Sequence, residues 1–370
     1  MLNLYLNFSN NLDIYKNLNL LLILVSTFSC ISTMLIVPVI NKIGIRYSLY
    51  DYPDARKIQK KSLVRIGGLA IFIGYLLGLS LIYFSGNFGN IRFDGISLFG
   101  GTLLITSSAV FFLGITDDLI QLSPKFRLIS QFLIASFSWT QGIRINQLDF
   151  SLISDSLTTV SLPSYISFFI TIFWVVAIIN ALNWMDGLDG LASGLVIISC
   201  FSYLLIEYSN NVISISFIIS SILGTAIAFI FYNYNPAKIL MGDGGSYFFG
   251  YNLAIISFLS SGDASTSLKF HVPTLVMFVP ILDMIYVISR RIISGNKPFK
   301  ADRTHIHHRL INSGLNERQT VRIILSIALI TSTIALVLEN ILSPIFIYYS
   351  LIIHCLVNVK IREFIKRTFC

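Results

Sequence analysis

The chain has 370 residues, of which 55% are hydrophobic and 12% are charged, and its mean hydropathy is +0.77. A soluble domain cannot hide so much apolar mass behind so few charges. The net charge of +8 does not indicate nucleic-acid binding, because the basic residues lie in short loops between apolar runs rather than in a folded basic patch. The composition therefore predicts an integral membrane protein.

Apolar runs long enough to cross about 30 Å of hydrocarbon as helices recur along the whole chain. They predict an all-α integral membrane fold with about eleven transmembrane helices, forming one polytopic domain over residues 1–370. The fourth run is the weakest because it is short. The predicted spans are 18–40, 66–84, 96–116, 127–142, 163–182, 188–206, 212–232, 246–262, 272–289, 320–338 and 343–359.

The loops between these spans differ in their content of Lys and Arg. One set of alternate loops carries all but four of the 26 basic residues, and the other set carries only Lys16, Arg92, Arg144 and Lys269. Because cytoplasmic loops hold the excess of Lys and Arg, the first set and the C-terminus are predicted to be cytoplasmic. The same loops are dense in Gly, Asp, Asn and His, so the reactive chemistry is predicted to face the cytoplasm.

The basic loop before the second span, DYPDARKIQKKSLVRIGG, includes Lys57. Positive-inside topology alone accounts for its charges, and a phosphate headgroup is the alternative partner.

Two adjacent acids, Asp117 and Asp118, end the third span in GITDDLIQLSPKFR. Neighbouring carboxylates repel each other, and a bound cation or the nearby Lys125 and Arg127 would offset that cost. A solvated helix end is the simpler interpretation of this dipeptide.

The segment NALNWMDGLDGLASG, residues 180–194, is more specific. Asp186 and Asp189 share a face if the segment is helical, and Asn183 lies about one turn before them. The glycines beside the acids let the backbone approach a ligand closely. The pattern favours a ligand cleft over a plain loop and helix cap.

Asp243 lies between glycines in NPAKILMGDGGSYFFG, at the mouth of the eighth span. Carboxylate oxygens suit Mg²⁺, and exposed backbone amides suit an anion. A metal and phosphate site is predicted here, and a simple turn is the alternative.

Asp283 lies inside an apolar span, in PILDMIYVISRR. An ionisable group in that position faces a polar interior or pairs with another group. A structural ion pair and direct ligand contact both remain open from the sequence.

The segment HIHH, residues 305–308, places three imidazoles beside Arg303 and Arg309. Histidine clusters bind transition metals, but the flanking arginines favour an anion such as a diphosphate. A solvated loop is the remaining alternative.

Taken in order, these segments resemble the polyprenyl-phosphate N-acetylhexosamine-1-phosphate transferase family of membrane enzymes, over about residues 50–310. The resemblance implies transfer of N-acetylhexosamine 1-phosphate from a UDP-sugar to a polyprenyl phosphate such as undecaprenyl phosphate, with release of UMP. It implies Mg²⁺, or Mn²⁺ in its place, as the cofactor. It also implies a multi-pass protein of the bacterial plasma membrane, possible as a homodimer, that starts the synthesis of a lipid-linked cell-envelope glycan such as a lipopolysaccharide O-antigen.

The resemblance also implies a role for each matching residue. Asp117 and Asp118 would lie at the lipid phosphate and the metal, with one of them as the candidate base, and Asp243 would bind the metal. Asp186, assigned as catalytic, would line the nucleotide and metal cleft. The implied substrate-binding residues are Asn183, Asp189, Arg303, His305, His307, His308, Lys57 and Arg127.

One departure from the family pattern is Arg127, where the family commonly has Lys. The positive charge is kept, but the two cations are not equivalent in hydrogen-bond geometry. The HIHH form and the span count are more similar to the bacterial branch that uses simple UDP-N-acetylhexosamines than to the muramoyl-pentapeptide branch, which is the alternative. A transporter or flippase is a further alternative, but it would carry its ionisable groups near the bilayer midplane.

Overall fold

The computed structural model describes residues 2–52, 62–84, 99–150, 159–210, 214–260, 267–295 and 304–357. These residues are mainly helical. The helices are α1 Leu2–Arg46, α2 Gly68–Phe84, α3 Phe99–Ile120, α4 Pro124–Thr140, α5 Ser164–Met185, α6 Leu191–Asn210, α7 Ser214–Asn233, α8 Gly242–Leu259, α9 His271–Val276, α10 Phe278–Ile293, α11 Ile306–Asn312, α12 Glu317–Leu338 and α13 Ile345–Val357.

Six helices are long and apolar enough to cross a membrane, judged by length and composition over the described residues. They support an α-helical membrane protein, while the count of eleven spans stays a prediction. The six segments are Asn19–Arg46, Gly101–Ile120, Ser164–Met185, Leu191–Ser209, Ile215–Asn233 and Glu317–Leu338, and two shorter apolar helices are Gly68–Phe84 and Ile345–His354.

The ninth predicted span, 272–289, is not one continuous helix. It is divided at Met277 into α9 and α10. Pro280 explains the break, because in a continuous helix its ring would collide with the carbonyl of Val276 and it has no N–H to donate. The sixth span also begins later than predicted, after Gly190, whose φ of +81° cannot continue a helix.

The described residues also contain short strands, which the all-helical prediction missed. β1 Tyr50–Asp51 pairs with β2 Leu63–Val64. At the other end of the bundle, β3 Gln147–Asp149 pairs antiparallel with β4 Thr159–Ser161 and parallel with β5 Ser267–Lys269. Strands of two or three residues are too short to produce a detectable alternation of apolar and polar residues.

The centre of the bundle is α8, every residue of which is buried. It packs against α2, α3 and α5, and glycines allow two of these helices to approach its first turn. A Cβ atom on Gly114 of α3 would lie 2.6 Å from the carbonyl carbon of Asp243, and one on Gly68 of α2 would lie 2.8 Å from the Cα of Gly245. Small residues at helix contacts permit this close backbone packing, which fixes the position of the first turn of α8.

Candidate active site

A cavity of about 340 Å³ lies at the end of the bundle where α3 and α5 end and α8 begins. Its volume is within the range of small-molecule sites. The residues that line it are Asp51, Arg65, Asn183, Trp184, Asp186, Gly187, Leu188, Asp189, Asn233, Leu240, Gly242, Asp243, His305, His307, His308 and Glu317. Seven of the predicted site residues are in this set: Asn183, Asp186, Asp189, Asp243, His305, His307 and His308.

The first turn of α8 is held by Asp118. Its carboxylate accepts hydrogen bonds from the backbone N–H of Asp243 at 2.8 Å and of Gly244 at 2.9 Å. These amides have no partner inside the helix, and the positive end of the helix dipole favours a negative charge there. The Asp118 side chain is fully buried and does not line the cavity, so it orients Asp243 from behind.

Arg65 joins two of the acids. Its Nε lies 2.8 Å from Asp118 and its Nη2 donates to Asp243 at 2.7 Å. Burial alone would lower the pKa of Arg65, but the charges of Asp243 and Asp118 raise it above its ordinary value. From sequence, Arg65 was one of several loop cations without an assigned role, and the available signal was its position immediately before IGG and the second span.

Asn183 and Asp243 form the centre of the site. Asn183, on the last turn of α5, donates from Nδ2 to Asp243 Oδ1 at 2.7 Å and to Ser246 at 2.9 Å. Burial raises the pKa of Asp243 to about 6, although the positive charge of Arg65 acts against this shift. Burying a carboxylate costs free energy unless it is paired. The Asn183 amide and the Arg65 guanidinium offset that cost for Asp243, which lines the cavity.

Among the acids of the cavity, Asp186 is the one whose negative charge is least compensated by hydrogen bonds or cations. It lines the cavity, and no hydrogen bond or ion pair to its carboxylate is found within the described part of the chain. Burial, and then the negative charges of Asp243 and Asp118, raise its pKa well above the ordinary value. A carboxylate in this environment is stabilised by a bound cation or by a proton.

The donor chemistry of the cavity fits Mg²⁺. Asp186 and Asp243 supply carboxylate oxygens, and Mg²⁺ binds to proteins through one or two carboxylates while keeping several waters. In the described residues, no three His, Cys, Asp or Glu side chains are already grouped as a metal site.

The hydrogen-bond partners of Asp117 lie outside the cavity lining. Its Oδ2 accepts from Arg127 at 3.0 Å and from the Tyr247 hydroxyl at 3.1 Å, and its Oδ1 accepts from the Leu122 N–H at 2.8 Å. Ser123 caps α4, which brings Arg127 onto the first turn beside Asp117. Neither Asp117 nor Arg127 lines the cavity, and their predicted contacts with substrate stay predictions.

A second acidic group lies at another part of the cavity wall. Asn235 donates from Nδ2 to Glu317 at 2.5 Å and to Asp189 at 3.3 Å, and Asp189 also accepts from the Ala237 N–H at 2.9 Å. Burial raises the pKa of Asp189, and the hydrogen bonds from Ala237 and Asn235 oppose this shift. The motif analysis missed Glu317, which is the first residue of α12, after the Asn316 cap.

The three histidines form one stack. The ring centroids of His305 and His307 are 5.6 Å apart, with an angle of 9° between the ring planes. The ring centroids of His307 and His308 are 4.4 Å apart. Burial, and then the charges of its two neighbours, lower the pKa of His307 to about 3, so its ring is neutral near pH 7. Its Nε2 would be 2.7 Å from a Cβ on Gly187, so a larger residue at position 187 would displace the His307 ring.

Asp283 pairs with the first of these histidines, at 2.7 Å between Oδ2 and His305 Nδ1. Asp283 therefore has a partner within the protein, and it is not among the residues that line the cavity. Of the remaining predicted residues, Lys57 and Arg303 lie outside the described ranges. His271 lies at the opposite end of the bundle, paired with Glu339 at 2.8 Å.

Comparisons with known proteins agree with the motifs. A family model described as glycosyl transferase family 4 matches residues 101–261. A probable undecaprenyl-phosphate N-acetylglucosaminyl 1-phosphate transferase of Bacillus subtilis (strain 168) is 33% identical over 348 residues, which covers 91% of this chain and 93% of that protein. A decaprenyl-phosphate N-acetylglucosaminephosphotransferase of Mycobacterium leprae (strain TN) is 29% identical, covering 82% of this chain and 80% of the relative.

A third relative is an undecaprenyl-phosphate alpha-N-acetylglucosaminyl 1-phosphate transferase of Salmonella typhi. It is 27% identical, and the alignment covers 83% of this chain and 81% of the relative. The similarity thus extends over nearly the whole chain and includes every motif that contributes to the cavity. The chain belongs to glycosyl transferase family 4, the polyprenyl-phosphate N-acetylhexosamine-1-phosphate transferases that its motifs resemble.

Proposed function

We propose that this protein transfers N-acetylhexosamine 1-phosphate from a UDP-sugar to a membrane polyprenyl phosphate and releases UMP. The names of the three relatives favour N-acetylglucosamine as the sugar and undecaprenyl or decaprenyl phosphate as the acceptor. The product would begin a lipid-linked glycan of the bacterial cell envelope.

The observation that carries the proposal is the position of the cavity. Buried acids, Arg65 and a histidine stack meet at one end of a bundle of apolar helices. A lipid acceptor needs a site at the membrane boundary, and a nucleotide sugar needs access from water. A transporter would instead need its ionisable groups near the midplane.

The reaction exchanges one phosphoanhydride linkage for another. An oxygen of the lipid phosphate bonds to the sugar-linked phosphorus, and the bond from that phosphorus to the bridging oxygen breaks, so that UMP leaves with the electron pair. The lipid phosphate has a second pKa near 6 and is already largely ionised at neutral pH. Positioning and charge neutralisation therefore contribute more than base catalysis.

Each part of the cavity has a role in this proposal. Asp186 and Asp243 would hold Mg²⁺, which would supply charge neutralisation of the diphosphate. Arg65 and the histidines lie near the phosphates. Asp118 and Asp117 act as positioning residues, Asp118 by orienting the first turn of α8 and Asp117 by holding Arg127.

The cavity side of the bundle is proposed to face the cytoplasm, and the protein to lie in the bacterial plasma membrane. The distribution of Lys and Arg supports this orientation, and cytoplasmic UDP-sugars would then reach the site directly. A homodimer is compatible with this arrangement.

The test is release of UMP by purified protein supplied with undecaprenyl phosphate, Mg²⁺ and one UDP-sugar at a time. Release from UDP-N-acetylglucosamine with formation of the lipid diphosphate sugar supports the proposal. Release only from UDP-N-acetylmuramoyl-pentapeptide would indicate the muramoyl branch, and no release from any donor would contradict transferase activity.

A further inference from the structure

His305 is held on three sides. Its Nδ1 lies 2.7 Å from Asp283 Oδ2, and the other oxygen of Asp283 accepts the Ile306 N–H at 2.6 Å. The ring centroids of Trp184 and His305 are 5.2 Å apart in an edge-to-face arrangement. The His307 ring is nearly parallel to that of His305, with 5.6 Å between the centroids. Rotation of the imidazole would break the hydrogen bond and disturb both ring contacts.

This arrangement determines which ring nitrogen of His305 is available. A carboxylate accepts hydrogen bonds and cannot donate them, so Nδ1 carries the proton that Asp283 receives. Nε2, on the opposite edge of the ring, is the nitrogen left for other partners. His305 lines the cavity, whereas the Asp283 side chain is 1% exposed and lies behind it.

We propose that Asp283 is a positioning residue of the transferase, which holds His305 so that Nε2 donates a hydrogen bond to the diphosphate of the nucleotide-sugar donor. The proposal rests on the function proposed above. An imidazole that keeps its proton on Nδ1 and also donates from Nε2 carries a positive charge, and a carboxylate at 2.7 Å offsets such a charge. Asp283 thus acts through His305 and touches no substrate itself.

The hydrogen bond strengthens during the reaction. As the bond to the bridging oxygen breaks, negative charge develops on the departing UMP phosphate, and the proton stays on Nε2. A fixed, charged donor stabilises that developing charge more than it stabilises the bound donor. Loss of the Asp283 charge should therefore lower kcat and leave KM for the UDP-sugar nearly unchanged.

The wall of the site supports this geometry from a second helix. The guanidinium of Arg291 on α10 lies 5.2 Å from the ring centroid of Trp184. Trp184 is the residue whose ring is beside that of His305. Asp283 is also on α10, so one helix supplies both the acceptor for the imidazole and the contact that holds its aromatic neighbour. Such supporting shells keep catalytic groups in productive geometry.

The direct experiment compares Asp283→Asn with Glu339→Gln. Both remove a carboxylate charge that pairs with a histidine, at 2.7 Å and 2.8 Å, but the Glu339 pair with His271 is at the far end of the bundle. In Asp283→Asn the side-chain amide can no longer offset a positive ring. We expect kcat to fall roughly 100-fold with KM within about threefold, while Glu339→Gln keeps the wild-type kcat.

A double mutant separates positioning from general damage. If Asp283 acts through His305, adding Asp283→Asn to His305→Ala lowers kcat no further. An additional loss equal to that of the single variant, or a wild-type kcat in Asp283→Asn, would overturn the proposal. Activity of the wild-type protein is measured first, so absence of UMP release there counts against the proposed function and not against this inference.

Two further variants cover the case in which Asp283→Asn does not fold. Asp283→Glu keeps the carboxylate and is expected to retain kcat within about tenfold of wild type. His305→Gln keeps a neutral donor without the ring charge and is expected to lose roughly 100-fold in kcat. A wild-type kcat in a folded His305→Gln protein would refute the role assigned to His305, and with it that of Asp283.

Discussion

Substitution of Gly114 by Ala tests whether close packing of α3 on α8 positions Asp243 in the cavity. The added Cβ would lie 2.6 Å from the carbonyl carbon of Asp243 and 2.7 Å from the Cα of Gly244, whereas ordinary contact begins at 3.4 Å. The neighbours are backbone atoms, which cannot rotate away as a flexible side chain can. The backbones of α3 and α8 must therefore separate by at least 0.8 Å, the difference between 3.4 Å and 2.6 Å, because the carbonyl oxygen of Asp243 is closer still.

Such a displacement has a large kinetic effect. It moves Asp243 relative to Asp186, Asn183 and Arg65, and a misplacement of roughly 1 Å costs on the order of 100-fold in rate. That factor corresponds to about 2.7 kcal/mol in the activation barrier. Overpacking of this kind also lowers the free energy of unfolding by about 1–3 kcal/mol, so the variant remains folded if the protein has ordinary stability.

The assay measures kcat for UMP release and thermal unfolding of the purified variant in the same detergent. The matched control is Gly101→Ala on the same helix, where an added Cβ meets nothing within 4 Å. Gly114→Ala is expected to lose roughly 100-fold in kcat while Gly101→Ala stays at the wild-type value. Equal activity of the two variants would refute the argument that this packing positions Asp243.

Four further predictions concern single side chains. Asp243→Asn removes a charge from the metal and phosphate site, so UMP release should fall by a factor of more than about 100 while the protein still inserts in the membrane. An active variant would exclude Asp243 from the mechanism. Burial raises the pKa of Asp243 to about 6, so protons compete with Mg²⁺ for this carboxylate below that pH. The Mg²⁺ concentration that gives half the maximal rate should therefore rise about tenfold between pH 6 and pH 5. The same Mg²⁺ concentration at both pH values would contradict this prediction. Gly187→Ala would place a Cβ 2.7 Å from His307 Nε2 and should reduce kcat about tenfold, which steady-state kinetics would detect. His271→Ala, at the far end of the bundle, should leave kcat within about twofold, and a large loss would contradict the assigned topology.

The order of the motifs along the chain was enough to predict the family and most of the cavity. Asn183, Asp186, Asp243 and the histidines lie in segments whose composition is unusual for a membrane helix, and that contrast is local in sequence. Local contrast could not show how Asp117 and Asp118 divide their roles. Both are adjacent acids in one motif, yet Asp118 holds the first turn of α8 and Asp117 faces Arg127 and Tyr247.

By itself, the sequence determined that the protein lies in a membrane, that its polar chemistry collects at helix ends, and which family it belongs to, because apolar length and motif order are properties of contiguous residues. The tertiary structure alone decided that Arg65 reaches Asp243, 178 positions later, that Asp283 holds His305, and that Glu317 completes the cavity wall. These contacts join residues that are 22 to 178 positions apart in the sequence. No spacing within a single segment records which buried charges will become neighbours when the chain folds.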